Sequence, residues 1–102
     1  MNFDNVSVAL EGNSYFEGAV TSRTLYFGDG SKKTLGFMLP GEYTFGTEAA
    51  ELMEITSGTL EVRLPDAQDW IPVQGGESFD VPANSTFQVK VKTITDYCCS
   101  YL

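Results

Sequence analysis

Residues 41–58 read GEYTFGTEAAELMEITSG, and this stretch decides how the rest of the chain folds. Successive strand side chains point to opposite faces, so Tyr43 and Phe45 fall on one side of an extended backbone. The alternation stops at Gly46-Thr47, a pair that indicates a turn. A second short run then ends at Ser57-Gly58. The stretch therefore predicts two strands that are joined by a turn and followed by a tight turn.

The segments on both sides of this stretch predict further strands. Residues 59–64 alternate most clearly, which places Leu60, Val62 and Leu64 inward. No stretch of eight or more residues shows helical spacing. Short extended segments separated by Gly and Pro turns are typical of a β-sandwich or β-barrel, so the fold is predicted to be all-β. The other extended segments are 14–20, 24–27, 34–39, 70–73, 78–81, 86–91 and 96–102.

The strand pattern also sets the domain organisation. Residues 1–13 alternate weakly and end in a turn signal, so they form either an N-terminal extension or an edge strand. Residues 14–102 are predicted to form one domain, because 102 residues suffice for one hydrophobic core and not for two. Pro72 lacks a backbone N–H, so residues 70–73 are predicted at a sheet edge.

Charge and cysteine content limit the partners. The formal net charge is −8, so attraction to DNA or RNA phosphates is unfavourable and nucleic-acid polymers are not expected as partners. An anionic small substrate fits if some of the six basic residues are gathered locally. Cys98 and Cys99 are neighbours, which rarely form an unstrained disulfide. With no apolar run of membrane-spanning length and no secretory leader, we expect a cytoplasmic protein without membrane contact.

Residues 41–58 also resemble the first motif of the cupins, a family of small β-barrels. That motif has two histidines, a glutamate, and a glycine that follows the glutamate after six residues. Glu51 and Gly58 match the last two positions. Tyr43 and Phe45 stand about where the histidines would be. The resemblance implies a cupin-like β-barrel, a double-stranded β-helix of the jelly-roll type.

A second cupin motif is similar to residues 76–87. The frame from Gly76 to Pro82 is kept, whereas Asn84 replaces a glycine and Phe87 replaces the third histidine. The chain contains no histidine, so a metal centre built on imidazoles cannot form. We expect no metal and no cofactor.

From residue 14 onward the sequence resembles one cupin family in particular, the small pyrimidine/purine nucleoside phosphorylases. This resemblance implies a metal-independent, single-domain enzyme that is typically dimeric. It implies that purine and pyrimidine nucleosides react with inorganic phosphate to give a free base and ribose 1-phosphate, which makes the enzyme a pentosyltransferase of broad base specificity. The segments that carry the resemblance are 42–45, 57–58, 64–67, 69–70, 79–82 and 101–102.

The sequence departs from that family pattern at several places. The first dozen residues are expected to be an addition to it. Ser100 stands where an arginine is expected, and that arginine would contact phosphate or a second copy of the chain. Asn84 and Gln88 stand where some relatives have histidines, so proton transfer through imidazole is not expected.

Phosphorolysis needs a phosphate site, and Lys32 is the predicted one. It follows the turn Gly28-Asp29-Gly30-Ser31, whose backbone N–H groups could join the lysine charge in holding an anion. A solvated turn is the alternative for both lysines, and it applies somewhat more to Lys33 than to Lys32. Arg63 is an alternative, although it shares a strand face with Glu61 and is expected to form a surface pair with it.

Glu51 is the predicted catalytic residue, because the matching cupin position points into the barrel and a carboxylate there can order the ribose. A loop glutamate left from a lost metal site is the alternative. Glu54 is three residues further, so a regular strand sends it to the other face and the two do not form a carboxylate pair.

Aromatic residues are the predicted base and substrate contacts. Tyr43, Phe45, Phe87 and Tyr97 are assigned to substrate binding, because every base has a π-face that an aromatic ring can stack on. Their alternative role is simply the core. Two other functions stay open: a cupin that binds a small ligand without reaction, and a structural dimer.

Overall fold

Residues 2–102, the part of the chain described by this computed structural model, form eleven β-strands and a short 3-10 turn at Phe16–Gly18. No α-helix is present in this part, and none of its segments is a helix long and apolar enough to span a membrane. The strands are β1 (Ser7–Val8), β2 (Asn13–Tyr15), β3 (Val20–Tyr26), β4 (Lys32–Met38), β5 (Gly41–Gly46), β6 (Glu51–Ser57), β7 (Thr59–Arg63), β8 (Ile71–Gln74), β9 (Ser78–Val81), β10 (Thr86–Val91) and β11 (Thr95–Tyr101).

The strands form two antiparallel sheets. The large sheet has the order β1-β3-β4-β11-β6-β9, with β2 also paired to β3. The small sheet has the order β5-β10-β7-β8. The last strand, β11, lies in the middle of the large sheet between β4 and β6, so distant parts of the chain are neighbours there. The all-β prediction is confirmed; because the two sheets are separate in their hydrogen bonding, they form an open jelly roll.

The core lies between the inner faces of the two sheets. Leu60 and Val62 are 2% and 0% exposed, and Leu64 is partly buried against the same cluster, which confirms the predicted inward face of residues 59–64. The large sheet contributes Val20, Met38, Met53, Ile55 and Val81 to this core.

The N-terminal part differs from the predicted pattern. Residues 14–20 are not one extended segment, because Phe16 and Glu17 have positive φ values of 53° and 58° that turn the backbone sharply. The chain therefore leaves β2 at Tyr15 and re-enters the sheet at Val20. Of residues 1–13, Ser7–Val8 pairs with β3 as a short edge strand, whereas Met1 lies outside the described residues.

Two turn and edge predictions are confirmed. Gly58 has a φ of +98°, and a Cβ there would lie 2.5 Å from the carbonyl oxygen of Ile94, so only glycine fits the tight turn from β6 to β7. β8, which contains Pro72, is the edge strand of the small sheet.

Candidate functional site

A cavity of about 530 Å³ lies between the two sheets. Its size is within the range of small-molecule pockets, which is about 300–1,000 Å³. Glu51, Phe45, Phe87 and Tyr97 all line it, so the structure brings together four of the six predicted site residues.

The large-sheet wall of the cavity carries the polar groups. In β11 the side chains of Tyr97, Cys99 and Tyr101 share the inner face, and all three line the cavity. Tyr101 is directly opposite Glu51 of β6. On the other side of β11, Lys32 shares the inner face because its neighbour Lys33 pairs with Ser100 on the outer face.

Lys32, Tyr101 and Glu51 thus form one row across three neighbouring strands. The ammonium group of Lys32 lies 5.5 Å from the centre of the Tyr101 ring, within cation–π range. Lys32 is exposed and does not line the cavity itself, so it stands at the rim beside Tyr101. The hydroxyl groups of Tyr101 and Thr34 are 3.3 Å apart.

Glu51 is in an environment that disfavours its charge. Burial raises the pKa of its carboxyl group, and a hydrogen bond with the Cys99 thiol partly offsets that rise. Burial, followed by the charge of Glu51, raises the pKa of Cys99 to about 12, so this thiol is neutral and a poor nucleophile at neutral pH. Burial also raises the pKa of Tyr101 to about 12. Glu54 pairs with Cys98 and points outward, which confirms that Glu51 and Glu54 form no carboxylate pair.

Aromatic rings form the opposite wall. The rings of Phe45 and Phe87 are 5.5 Å apart and tilted by 34°. Phe16 lies across Phe45 at 5.7 Å and is 47% exposed, so it covers part of the cavity mouth. Phe79 packs behind Phe87 at 6.0 Å.

The two predicted tyrosines both have their hydroxyl groups occupied. Tyr43 does not line the cavity; its hydroxyl donates to the Leu39 carbonyl at 2.7 Å, and its ring packs against Phe16 at 5.0 Å. Tyr97 lines the cavity with its ring, and its hydroxyl donates to the Thr21 carbonyl at 2.9 Å. Burial raises the pKa of Tyr97, so it is neutral.

In the turn before Lys32, two of the N–H groups that could hold an anion are already used within the turn. The N–H of Gly30 donates to the Phe27 carbonyl at 3.1 Å. The N–H and the hydroxyl of Ser31 both donate to the Asp29 carboxylate, at 2.9 and 2.6 Å. These bonds lower the pKa of Asp29, and its negative charge would repel phosphate. Lys33 lies on the outer face over Phe27, at 5.7 Å.

Two other phosphate candidates also lie outside the cavity. Arg63 and Gln88 pair on the outer face of the small sheet, opposite to the inward Val62. The predicted pair of Arg63 with Glu61 is wrong, because Glu61 instead bonds Lys92 at 3.3 Å. Ser100 is on the outer face of the large sheet, so an arginine at this position would not reach phosphate in the cavity.

Three of the cavity residues that sequence reasoning missed are Cys99, Tyr101 and Phe16. Cys99 and Tyr101 could have been found by alternation, since they follow Tyr97 by two and four residues along one face of the last strand. Phe16 carried no such signal, because its position depends on a positive φ that the residue type does not indicate. Within residues 2–102 no three His, Cys, Asp or Glu side chains are grouped as metal ligands.

Known proteins resemble this chain over nearly its whole length. The family described as pyrimidine/purine nucleoside phosphorylase matches residues 10–101. A pyrimidine/purine nucleoside phosphorylase of Sulfurovum sp. (strain NBC37-1) is 74% identical over 100 residues, which cover 98% of this chain and 97% of that protein. The expectation that the first dozen residues are an addition to the family pattern is therefore wrong.

Solved structures have the same fold. The crystal structure of a protein of unknown function from Acinetobacter sp. ADP1 has a TM-score of 0.97 and 41% identity, and the match covers 99% of this chain and 98% of that chain. An RmlC-like cupin from Shewanella frigidimarina NCIMB 400 has a TM-score of 0.71 at 16% identity, with 98% of this chain and 86% of that chain covered. The cupin-like fold prediction is confirmed.

Proposed function

Because this chain belongs to the pyrimidine/purine nucleoside phosphorylase family, we propose that it cleaves purine and pyrimidine nucleosides with inorganic phosphate in the cavity between its sheets. The observation that carries this proposal is the meeting of Glu51 with the aromatic pair Phe45 and Phe87 in one cavity. A nucleoside needs the same two surfaces, a polar one for its ribose and a flat apolar one for its base.

The reaction is a direct displacement at the ribose. A phosphate oxygen attacks C1′, the bond from C1′ to the base nitrogen breaks, and the bonding electron pair leaves with the base. The proton of hydrogenphosphate ends on the released base, and the sugar becomes ribose 1-phosphate. The protein contributes positioning and electrostatic stabilisation of the positively charged ribosyl transition state.

Glu51 is the residue that acts on the ribose. Its ionised carboxylate accepts hydrogen bonds from the ribose hydroxyl groups and offsets the positive charge that develops at C1′. The partly buried setting supports this role, because an electrostatic interaction is stronger where water is excluded.

The aromatic residues act on the base. The base lies against the aromatic wall that Phe45 and Phe87 form together, and because every base has a π-face, this contact accepts both purines and pyrimidines. Tyr97 contributes its ring to the cavity wall. Tyr43 supports Phe45 from behind, at 6.2 Å, rather than touching the substrate.

Lys32 is the proposed phosphate ligand. It stands at the cavity rim in the same row as Tyr101 and Glu51, and its flexible side chain carries a point charge suited to phosphate. The neighbouring Lys33 faces the other way and provides a matched control. Lys32→Gln is expected to raise the KM for phosphate about tenfold, whereas Lys33→Gln changes it less than twofold.

The proposed reaction needs no metal or other cofactor, since the chain has no histidine and the displacement uses charges that its own residues supply. The test is to incubate the purified protein with uridine or adenosine, with and without phosphate and after EDTA treatment. Free base and ribose 1-phosphate should form only with phosphate and in full after EDTA. Nucleoside binding without product would favour a non-catalytic cupin, and no binding would favour a structural dimer.

The working form is proposed to be a cytoplasmic homodimer that associates through the outer face of the large sheet. The free thiols of Cys98 and Cys99 suit a reducing compartment. Leu35 and Phe37 are 36% and 42% exposed on that face, beside the buried Cys98. Ser100, near the middle, has a buried hydroxyl without a hydrogen-bond partner among residues 2–102.

Charge on the same face favours a second copy as its partner. Arg23 and Lys33 lie on the β3–β4 side, whereas Glu54 and Asp80 lie on the β6–β9 side. A two-fold axis parallel to β11 would place each side over the opposite side of the other copy, so unlike charges meet.

Sedimentation of two variants tests the dimer. Phe37→Glu places a charge in the proposed interface and should give a monomer. Ile71→Glu is the matched control, since Ile71 is 46% exposed on the edge of the other sheet. A wild-type protein that sediments as a monomer, or a Phe37→Glu variant that stays dimeric, would contradict this interface.

A further inference from the structure

A second cavity, of about 380 Å³, lies at the small sheet, and most of its lining residues have no part in the proposed reaction. Thr44 and Phe87 line both cavities. The lining of the second cavity includes residues 64–67, the Leu-Pro-Asp-Ala segment that is among the most specific parts of the family resemblance. Arg63 and Gln88 belong to this lining and not to that of the cavity between the sheets. One of the specific sequence segments therefore lines a polar cavity on the outer face of the small sheet.

Three polar side chains lie side by side in this cavity. Gln88 of β10 is directly opposite Thr44 of β5 on one side and Arg63 of β7 on the other. Strands in a sheet are about 4.8 Å apart, so the three side chains project together from the outer face. Such a row offers several hydrogen-bond donors to one small ligand.

Arg63 is held in place by neutral partners. Its guanidinium donates to the amide oxygen of Gln88 and lies 5.4 Å from the centre of the Trp70 ring. Lys90 contacts the same ring at 4.2 Å. Among residues 2–102 no carboxylate forms an ion pair with Arg63. A guanidinium has five N–H donors, and an arginine fixed without a carboxylate keeps most of them for an anionic ligand.

The charges around the cavity indicate the class of ligand. Half of the six basic residues, Arg63, Lys90 and Lys92, are on or next to this face, although Lys92 is paired with Glu61. Asp66 also lines the cavity, in the turn that follows Arg63, with a positive φ of 61° that aspartate tolerates. A ligand with an oxyanion for Arg63 and hydroxyl groups for Asp66 satisfies both charges.

We propose that this outer cavity is a binding site for a small sugar phosphate, with the phosphate on Arg63 and the sugar hydroxyls on Asp66 and Gln88. None of these three residues lines the reaction cavity, and the proposal does not depend on the proposed reaction. The Trp70 ring contacts the guanidinium, and this planar group can donate to two phosphate oxygens at once.

Trp70 provides the readout, because it is the only tryptophan of the chain. The protein is titrated with ribose 5-phosphate, inorganic phosphate or ribose at constant ionic strength, and tryptophan emission is followed. Ribose 5-phosphate should give a saturable change with at least fivefold higher affinity than inorganic phosphate, and ribose should give none. No saturable change with either phosphate compound would overturn the proposal, and equal affinities would overturn the sugar-phosphate class.

Two variants and one mapping experiment locate the binding. Arg63→Gln should weaken ribose 5-phosphate binding at least tenfold, and Lys92→Gln, on the same side of the sheet, less than twofold. Arg63→Gln also changes the surroundings of Trp70, so amide chemical shifts give a second readout. When ribose 5-phosphate is added to the wild-type protein, the amide chemical shifts of residues 64–67 should change. Shifts confined to Glu51 and Tyr101, or undiminished binding in Arg63→Gln, would overturn the site.

The proposal of the outer site and the proposal of the reaction can be refuted independently. Arg63→Gln is expected to keep phosphate-dependent release of base, because Arg63 does not line the cavity between the sheets. A wild-type protein that binds ribose 5-phosphate at residues 64–67 and releases no base would overturn the proposed reaction alone. A protein that releases base and shows no shifts in residues 64–67 would overturn the outer site alone.

Discussion

Replacing Gly36 by alanine tests how closely β3 and β4 approach each other in the wall of the cavity. A Cβ at position 36 would lie 1.7 Å from the carbonyl oxygen of Thr21 and 2.9 Å from the Cα of Ser22. Both neighbours are backbone atoms, so no flexible side chain can move away. The strands would have to separate by more than about 1 Å to restore a normal contact.

The expected loss of stability has two parts. Forcing an extra methyl group into a packed region costs about 1–3 kcal/mol, and a clash with backbone belongs at the upper end. The same movement weakens the bond from the Tyr97 hydroxyl to the Thr21 carbonyl, 2.9 Å in the wild type, which contributes about 1 kcal/mol. Gly36→Ala should therefore lower the free energy of unfolding by about 4 kcal/mol, and Tm by about 16 °C or more.

Urea unfolding followed by circular dichroism measures this loss, and Gly28→Ala is the matched control. Gly28 has no atom within 4 Å of the position of an added Cβ, so its alanine variant should stay within about 0.5 kcal/mol of the wild type. A Gly36→Ala variant as stable as Gly28→Ala would refute the close approach of the two strands.

Three more predictions concern the cavity. Phe87→Ala removes a ring that is 3% exposed and should lower the free energy of unfolding by about 3–5 kcal/mol in denaturant titrations; a loss below about 1 kcal/mol would count against its core position. Phe16→Gly relieves a positive φ of 53° and should raise the KM for uridine while stability changes by less than about 1 kcal/mol; an unchanged KM would remove this ring from the site. Burial raises the pKa of Glu51, so the wild-type protein loses stability as pH rises through the folded-state pKa of this carboxyl group. Glutamine does not titrate, so the stability of Glu51→Gln relative to the wild type should increase between pH 4 and pH 7. A stability difference that stays constant over this range would contradict the raised pKa.

Local patterns were sufficient to predict most strands and their inward faces. Residues 59–64 alternate so regularly that the burial of Leu60 and Val62 follows from period two alone. Glu51 and Glu54 were separated by the same rule. The turn at Gly58 was predicted because a tight turn between strands needs the conformations that glycine adopts.

The site itself depends on contacts between distant strands, which local patterns do not specify. Lys32 and Glu51 come into one row only because β11, the last strand, lies between β4 and β6. The prediction that Arg63 pairs with Glu61 is wrong, because Arg63 contacts Gln88 and Trp70 instead. Which of these residues Arg63 meets depends on the directions of side chains on neighbouring strands. Phe16 reaches the cavity through a backbone conformation that phenylalanine rarely adopts.

The central claim is that Glu51 in the cavity between the sheets promotes phosphorolysis, and one comparison of variants tests it. The kcat/KM for uridine is measured at saturating phosphate for the wild type, Glu51→Gln and Glu54→Gln, the last being the same change on the same strand but on the outer face. Glu51→Gln should lose activity about 100-fold, the scale for removing one group that stabilises transition-state charge, while Glu54→Gln stays within about twofold. Equal activity of the two variants would contradict the claim.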